Sequence, residues 1–280
     1  MLKTRVITAL TLLAILLPIL WFAPLIWLGT LMAIVITLGA WEWWRLLYPD
    51  NKKRAFSYAG LCLLSLSAWF MYASMDMVRI LLLVTVIFWL LVVPYLMRQS
   101  LDLDLLRWRL PLAISGLFIL PACWFALMQL RSIGMTLFLS VLILVWTADI
   151  GAYFFGKALG RHKLAVRLSP GKSIEGAVGG WVFVLCVACL FIFGFADIDW
   201  LELNFYALLV DRLGYLGMFF MVTLCVVMSI EGDLFESQIK RISGVKDSSF
   251  LLPGHGGILD RIDALLPVLP FAGLIVSLMT

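Results

Sequence analysis

The polar residues that follow residue 232 could perform chemistry on phosphate groups. The helix that carries the preceding apolar run is expected to continue into them. Residues spaced at i, i+4, i+7 and i+8 share one face of a helix. Four polar residues have this spacing: Asp233, Ser237, Lys240 and Arg241. A carboxylate, a hydroxyl and two cations are therefore predicted to project together.

Two further carboxylates, Asp260 and Asp263, lie three positions apart with Arg261 beside them. On a helix they face the same way, and such a pair repels unless a cation lies between them. Oxygen ligands of this kind suit Mg²⁺ that is bridged to substrate phosphates. Acidic residues are also common at helix starts, where the helix dipole favours them. The nearby Asp233 and the surrounding cations favour the metal interpretation.

A glycine-rich loop connects these two groups of residues. Lys246-Asp247 is followed by Pro253-Gly254-His255-Gly256-Gly257. Glycine and proline permit a tight loop in which the backbone approaches a ligand closely. The loop is therefore a candidate for substrate binding.

Two places earlier in the chain could contribute. Asp149 lies in an apolar run, where a charge is costly. It is either a structural residue that forms hydrogen bonds between helices or a residue of the site. The segment 168–176 contains Lys172 and Ser173, and cations at a helix start suit phosphate. The segment does not match a complete P-loop, because the first glycine is missing and no strand is expected before it. The alternative to a phosphate-binding segment is an ordinary cationic loop. Glu42 and Asp50 are interpreted as interfacial charges paired with Arg45 and with the cations at 52–54.

Carboxylates, cations and glycines in this combination indicate phosphoryl or nucleotidyl transfer, which depends on positioning and charge neutralisation. The sequence has no Ser-His-Asp or Cys-His arrangement that would favour acyl chemistry. His162 and His255 are its only histidines, so a histidine-based zinc site is not expected.

The rest of the chain has the composition of an all-α polytopic membrane protein. Hydrophobic residues make up 64% of it and charged residues only 14%, whereas a soluble domain carries about 25% charged residues. The five cysteines lie in apolar runs and imply no disulfide framework. Polar residues are too few for a nucleic-acid interface.

A membrane-spanning helix needs about 20 mostly apolar residues. Nine candidates are found, at 5–23, 25–47, 56–74, 79–97, 111–130, 135–156, 174–195, 213–231 and 264–280. Only Pro24 separates the first two, which form either two spans or a re-entrant pair. The count is therefore about nine.

The distribution of Lys and Arg predicts the orientation. If the N-terminus is cytoplasmic and nine spans alternate, 18 of the 21 cations fall on the cytoplasmic side. The three others are Arg79, Arg131 and Arg212. Because cytoplasmic loops are enriched in Lys and Arg, this arrangement is favoured, with the C-terminus outside and the segment 233–263 facing the cytoplasm.

The 27 residues from Ser237 to Asp263, here called the signature segment, resemble the signature of bacterial phosphatidate cytidylyltransferases (CDP-diacylglycerol synthases). The matching positions are Ser237, Lys240, Arg241, Lys246, Asp247, His255, Gly256, Gly257, Asp260, Arg261 and Asp263. The stretches at 147–149 and 169–176 also look like this family. The resemblance is specific over about 145–263 and rests on hydropathy before that.

The resemblance implies an enzyme that condenses CTP with phosphatidic acid to give CDP-diacylglycerol and pyrophosphate. It implies Mg²⁺ dependence, leaving a second metal ion open, a multi-pass protein of the bacterial inner membrane, and a homodimer. Asp233, Asp260 and Asp263 are the implied metal ligands. Asp149, Lys172, Ser173, Gly256 and Gly257 are further candidates for the site.

Roles follow for the other signature residues. The cations that would neutralise the phosphates of CTP and lipid are Lys240, Arg241, Lys246 and Arg261. Ser237 would add a ligand or a hydrogen bond. Asp247 would orient Lys246 or bind metal, and His255 would order the loop or contact phosphate rather than act as a base.

Two alternatives remain at this point. A CTP-dependent lipid-alcohol kinase would transfer the γ-phosphoryl group instead, and an ion-coupled transporter would use Asp149, Glu231 and Asp233 as an ion path.

The chain is predicted to have two regions. Residues 1–134 would supply helices for scaffold, lipid access or dimerisation, and residues 135–280 would carry the catalytic region.

Overall fold

The computed structural model describes residues 14, 18–194, 198, 201, 203–252, 254 and 256–279. These residues are helical except for loops and one short β-hairpin, which confirms the all-α prediction. The helices are α1 Leu25–Leu47, α2 Ala55–Tyr72, α3 Met75–Ile87, α4 Leu105–Ile133, α5 Met135–Leu159, α6 Ile174–Cys189, α7 Phe205–Ile242, α8 Leu259–Ile262 and α9 Leu265–Met279. Helix α3 continues through a π-helical turn, Phe88–Val92, into Val93–Arg98, and α6 continues into Leu190–Gly194.

Seven of the described helices are long and apolar enough to cross a membrane, and α9 is a shorter apolar helix. They coincide with the second to ninth predicted spans, so the polytopic class is confirmed. Most of the first predicted span, 5–23, lies outside the described residues. The exact count of nine and the side of the N-terminus stay predictions.

Helix α7 is much longer than the predicted span 213–231. The side chain of Asn204 caps its start by accepting a hydrogen bond from the Ala207 N–H at 2.9 Å. Gly214 has a φ of 71° and breaks the helix near its first third, a conformation that glycine adopts without steric cost. The helix then runs to Ile242, so it continues past Asp233 as the polar periodicity predicts.

A β-hairpin that was not predicted from the sequence precedes α6. Strands β1, Lys163–Ala165, and β2, Ser169–Ser173, pair antiparallel. The expectation that no strand precedes Lys172 was therefore wrong. The apolar periodicity that identifies strands is absent here because both strands are short and Ser173 is the only buried residue in them.

Helices α5 and α6 pack with their backbones close together. A Cβ atom at Gly180 would lie 2.5 Å from the Ala148 carbonyl oxygen, and one at Gly176 would lie 2.7 Å from the Ala152 carbonyl oxygen. Small residues permit such close approach in membrane helices. This packing fixes the start of α6 beside the last turns of α5.

The cationic segments that follow α1, α3 and α5 meet the end of α7 at one end of the helix bundle, here called the charged end. Arg109 at the start of α4 donates to Asp50 at 3.0 Å, and Ser243 after α7 donates to the Leu46 carbonyl oxygen at 2.5 Å. Arg167 of the hairpin donates to both oxygens of Asp102. If successive spans alternate in direction, the segments after α1, α3, α5 and α7 must lie at the same end of the bundle, as observed. The membrane side that this end faces stays a prediction.

The two halves of the chain share one core. Helix α9 packs against α4 and α3, and Gln129 Nε2 of α4 donates to the Gly273 carbonyl oxygen at 3.3 Å. Within the first half, Tyr58 of α2 donates to the Ala113 carbonyl oxygen at 2.6 Å. The division at residue 134 stays a prediction about function.

Candidate active site

A cavity of about 550 Å³ lies between the hairpin and helices α5, α6 and α7. Four of the predicted site residues line it: Asp149, Lys172, Ser173 and Asp233. Its deeper wall is apolar and includes Ala148, Val226 and Ile230. The cavity thus joins a charged mouth to an apolar interior.

The hairpin holds Lys172 and Ser173 at the start of α6. Ser173 Oγ caps the helix by accepting a hydrogen bond from the Gly176 N–H at 3.1 Å. Glu175 accepts from the Arg161 N–H at 3.0 Å and contacts His162 Nδ1 at 2.6 Å. These contacts fix both ends of the hairpin, so Lys172 reaches across and forms an ion pair with Asp233.

The end of α7 carries Asp233, and the turn before α9 brings Asp263 against the same helix. Ser237 Oγ donates to Asp233 Oδ1 at 3.4 Å, which confirms that these two residues share a helix face. Gly232 lies against the Asp263 carbonyl oxygen and the Pro267 ring. Burial and the Asp233 carboxylate raise the pKa of Asp263 to about 7. Asp149 also lies within electrostatic reach of Asp233 and Lys172.

A second charged cluster surrounds Lys240. Its ammonium group bonds Glu236 at 2.5 Å and also bonds Asp260. The other oxygen of Asp260 accepts from the Ser248 N–H at 2.9 Å, the Ser248 hydroxyl at 2.8 Å and the Gly257 N–H at 2.7 Å. Burial acts to raise the pKa of Asp260, but hydrogen bonds from Lys240 and Gly257 bring it below its usual value. Lys240 and Asp260 are therefore bound to each other and to the loop.

The prediction that Glu42 is an interfacial charge paired with Arg45 was wrong. Its side chain is fully buried and accepts hydrogen bonds from the signature segment, among them 2.5 Å from Ser249 Oγ and 2.7 Å from the Leu259 N–H. The Arg45 guanidinium lies over the Trp41 ring instead, 4.2 Å from its centroid. Asp50 pairs with Arg109 of α4. The interpretation was wrong because it assumed partners that are close in sequence, whereas Glu42 binds the loop and the start of α8 and Asp50 binds α4.

The remaining signature residues lie on the loop or at its ends. Arg241 donates to the Val245 carbonyl oxygen at 3.3 Å. Lys246, Asp247 and Arg261 are exposed. Gly256 has a φ of 81°, a left-handed conformation that glycine adopts readily. His255 lies outside the described residues, so its predicted role has no structural account.

The carboxylates at the cavity fit a divalent cation only in part. Asp233 and Asp149 line the cavity together with Lys172, and Asp263 lies beside it, within electrostatic reach of Asp233, Lys240 and Lys172. Hard oxygen ligands of this kind suit Mg²⁺. Asp260 fits less well, because its oxygens accept the four hydrogen bonds described above. Within the described ranges, no set of three or more His, Cys, Asp or Glu side chains is grouped as a metal site. The predicted set of Asp233, Asp260 and Asp263 stays a prediction.

Two acidic residues with central positions were not predicted. Glu236 precedes Lys240 by four residues, a spacing at which oppositely charged side chains meet on a helix. Glu42 is an acidic residue in an apolar run, and a charge in a membrane helix is costly unless it has partners. The spacing identifies Lys240 as the partner of Glu236, but nothing in the sequence identifies the partners of Glu42 across the fold.

The fold and the cavity define a polytopic membrane protein whose charged end can bind a phosphate-bearing ligand. The model of the cytidylyltransferase family matches residues 3–279, so the chain belongs to this family. A phosphatidate cytidylyltransferase of Pseudomonas aeruginosa is 39% identical over 280 residues, which covers 98% of this chain and 97% of the relative. One of Haemophilus influenzae is 36% identical, with 97% of each chain covered. One of Bacillus subtilis is 37% identical over 160 residues, which is 56% of this chain and 54% of the relative.

Proposed function

We propose that this protein transfers the cytidylyl group of CTP to phosphatidic acid, giving CDP-diacylglycerol and pyrophosphate for phospholipid synthesis. The observation that carries the proposal is the cavity in which Lys172, Asp233 and Asp149 meet above an apolar wall. Two phosphatidate cytidylyltransferases are similar to the chain over nearly its whole length. The family match favours neither the kinase nor the transporter alternative.

The reaction is an in-line displacement at phosphorus. A phosphate oxygen of phosphatidic acid attacks the α-phosphorus of CTP and forms a new P–O bond. The bond from the α-phosphorus to the bridging oxygen breaks, and pyrophosphate leaves with that electron pair. The attacking oxygen is already anionic near neutral pH, so the step needs no strong general base. Catalysis then depends on positioning and on neutralising charge.

The residues at and beside the cavity have two roles in this step, which are substrate binding and metal binding. Lys172, carried by the hairpin, binds a substrate phosphate as a point charge, and the start of α6 beside it favours anions. Asp233 and Asp263 would hold Mg²⁺, with Asp149 as a further carboxylate should a second ion bind. When bound, the metal supplies charge neutralisation at the phosphates and the leaving group.

The signature segment supplies the remaining cations. Arg241, Lys246 and Arg261 neutralise the phosphates of CTP at the mouth of the site, and Ser237 adds a hydrogen bond to Asp233. Lys240 orients Asp260 and, through it, the loop that carries Asp247, His255, Gly256 and Gly257. The loop backbone then forms one side of the nucleotide site.

The cavity suits two substrates that arrive from different phases. Its apolar wall on α5 and α7 accommodates the lipid next to the phosphate group, and its charged mouth admits a nucleotide from water. The Lys and Arg distribution supports a charged end that faces the cytoplasm, where CTP is present. We place the protein in the bacterial inner membrane and propose that it acts as a homodimer.

Product labelling tests the function. Purified protein in mixed micelles is supplied with Mg²⁺, phosphatidic acid and CTP labelled at either the α- or the γ-phosphate. We expect the α-label to enter the lipid and the γ-label to leave as pyrophosphate. Incorporation of γ-label into a lipid alcohol would establish the kinase instead. Ion flux through proteoliposomes without CTP turnover would establish the transporter.

A further inference from the structure

Glu42 is the only carboxylate described in α1, and it lies far along the chain from the signature segment. Its two oxygens bind that segment in the same way. Oε1 accepts from Ser249 Oγ at 2.5 Å and from the Ile258 N–H at 3.0 Å. Oε2 accepts from Ser248 Oγ at 3.2 Å and from the Leu259 N–H at 2.7 Å. Each oxygen thus faces one hydroxyl and one backbone amide, and the single hydrogen of the Ser248 hydroxyl is shared between Glu42 and Asp260.

These four bonds close the loop of the signature segment. Ser248 and Ser249 lie a few residues after the end of α7, whereas Ile258 and Leu259 lie at the start of α8. Gly257, between them, has no room for a side chain, because a Cβ atom there would meet Ser248 Oγ and Glu42 Oε1. Glu42 therefore holds both ends of the loop together from a neighbouring helix.

Glu42 is connected to the charged residues through Ser248. The Ser248 hydroxyl lies 3.2 Å from Glu42 and 2.8 Å from Asp260, and Asp260 bonds Lys240 of α7. Leu259, which Glu42 binds directly, is the residue before Asp260 and four residues before Asp263. A shift of Glu42 would move the backbone that carries both carboxylates.

We infer that Glu42 is a positioning residue for cytidylyl transfer, which holds the signature segment in the geometry that the reaction requires. The expected effect on kcat rests on the proposed function, whereas the expected effect on the loop structure does not. A carboxylate is needed because Glu42 accepts from two backbone amides, one on each oxygen. Glutamine would place its NH₂ group against one of those N–H donors, leaving a buried donor unpaired.

The first test is the isosteric variant Glu42→Gln, with Asp50→Asn as the matched control. Asp50 is a carboxylate at the same end of the bundle that pairs with Arg109 rather than with the loop. We expect kcat of Glu42→Gln to fall by about 10²-fold, since a small misplacement of reacting groups costs that much. The KM for phosphatidic acid should stay within about threefold of wild type, because transition-state geometry is lost rather than lipid binding. Asp50→Asn should keep wild-type kcat.

A second measurement does not depend on turnover. Hydrogen exchange of peptides that cover 248–262 should be faster in Glu42→Gln than in wild type or Asp50→Asn, while peptides of α5 exchange equally in all three. If the wild type makes no CDP-diacylglycerol but this loop is protected by Glu42, the proposed function fails and the positional role stands. Unchanged exchange in a folded Glu42→Gln protein would overturn the inference.

Variants on the loop side address a failure of Glu42→Gln to fold. Ser249→Ala removes one of the four bonds without burying an unpaired charge, and it should lower kcat by about threefold to tenfold, the scale of a typical net hydrogen bond. In the double variant with Glu42→Gln, the kcat losses should be less than multiplicative, because both changes remove the same contact. If Ser249→Ala and Ser248→Ala both keep wild-type kcat and loop protection, the inference is wrong.

Discussion

Lys172 of the β-hairpin forms an ion pair with Asp233 near the end of α7, although 61 positions separate them in the sequence. Both side chains are about 30% exposed, with 28% for Lys172 and 31% for Asp233. Water therefore reaches the pair, and its charges remain available to ligands. The pair joins the hairpin to the helix that begins the signature segment, and the candidate cavity lies where they meet.

Removing the charge of Lys172 should weaken the binding of a phosphate-bearing substrate. We expect Lys172→Met to raise the KM for CTP or for phosphatidic acid by about 10- to 10²-fold, the scale of a hydrogen bond to a charged group. Lys163→Met is the matched control, because Lys163 is an exposed lysine on the same hairpin. Steady-state kinetics in mixed micelles measures both variants. Equal effects would show that the hairpin contributes only general positive charge.

Neutralising Asp233 at the cavity or Asp263 beside it should impair the response to Mg²⁺. Asp233→Asn and Asp263→Asn should each lower turnover by about 10²-fold, as for loss of a key electrostatic partner, and should raise the Mg²⁺ concentration needed for half-maximal rate. Asp76→Asn is the control, since Asp76 pairs with Arg79 at the opposite end of the bundle. Wild-type Mg²⁺ dependence in folded Asp233→Asn and Asp263→Asn proteins would refute the metal assignment.

Asp260→Asn separates the two interpretations of Asp260. If Asp260 orients Lys240 and the loop, the variant should lose loop protection in hydrogen exchange and lower kcat while its half-maximal Mg²⁺ concentration is unchanged. If Asp260 binds metal, the Mg²⁺ requirement should rise as in Asp263→Asn. A Mg²⁺ titration of both variants at saturating substrate decides between them.

The contact between α7 and the turn before α9 should tolerate no side chain at Gly232. Gly232→Ala places a Cβ atom against the Asp263 carbonyl oxygen and the Pro267 ring, and such overpacking costs about 1–3 kcal/mol. Activity should fall together with the thermal midpoint. Gly60→Ala in α2 is the matched control, because a Cβ atom there meets nothing within 4 Å. Equal behaviour of the two variants would contradict the tight contact.

The exposed pair of Asp102 and Arg167 should contribute a small, pH-dependent restraint on the hairpin. The hydrogen bonds and charge of Arg167 hold the pKa of Asp102 below its usual value. Because the folded-state pKa is the lower one, the contribution is fully present at neutral pH and is lost as the pH falls through the folded-state pKa. Tryptic cleavage at the hairpin should be faster in Asp102→Asn than in wild type at pH 7. High salt, which screens exposed charges, should remove that difference.

The class of the protein and most of its helices can be predicted from the sequence. Apolar runs long enough to cross a membrane identify α1 to α7, because a spanning helix must satisfy its own backbone hydrogen bonds and face lipid. Helical periodicity placed Ser237 beside Asp233, since contacts four residues apart are local. The spacing in the signature segment identified the family, which the match over residues 3–279 confirms.

Which distant residues meet depends on how the helices and loops pack, and the sequence does not show this. Nothing in the sequence near Glu42 reveals that its partners are Ser248, Ser249, Ile258 and Leu259, because they follow about 200 residues later and belong to another element. Likewise, the partners of Lys172 and Lys240 depend on how the hairpin and the loop fold onto α7. Local spacing determines which side of a helix a residue faces, whereas the packing of helices against one another determines what that side contacts.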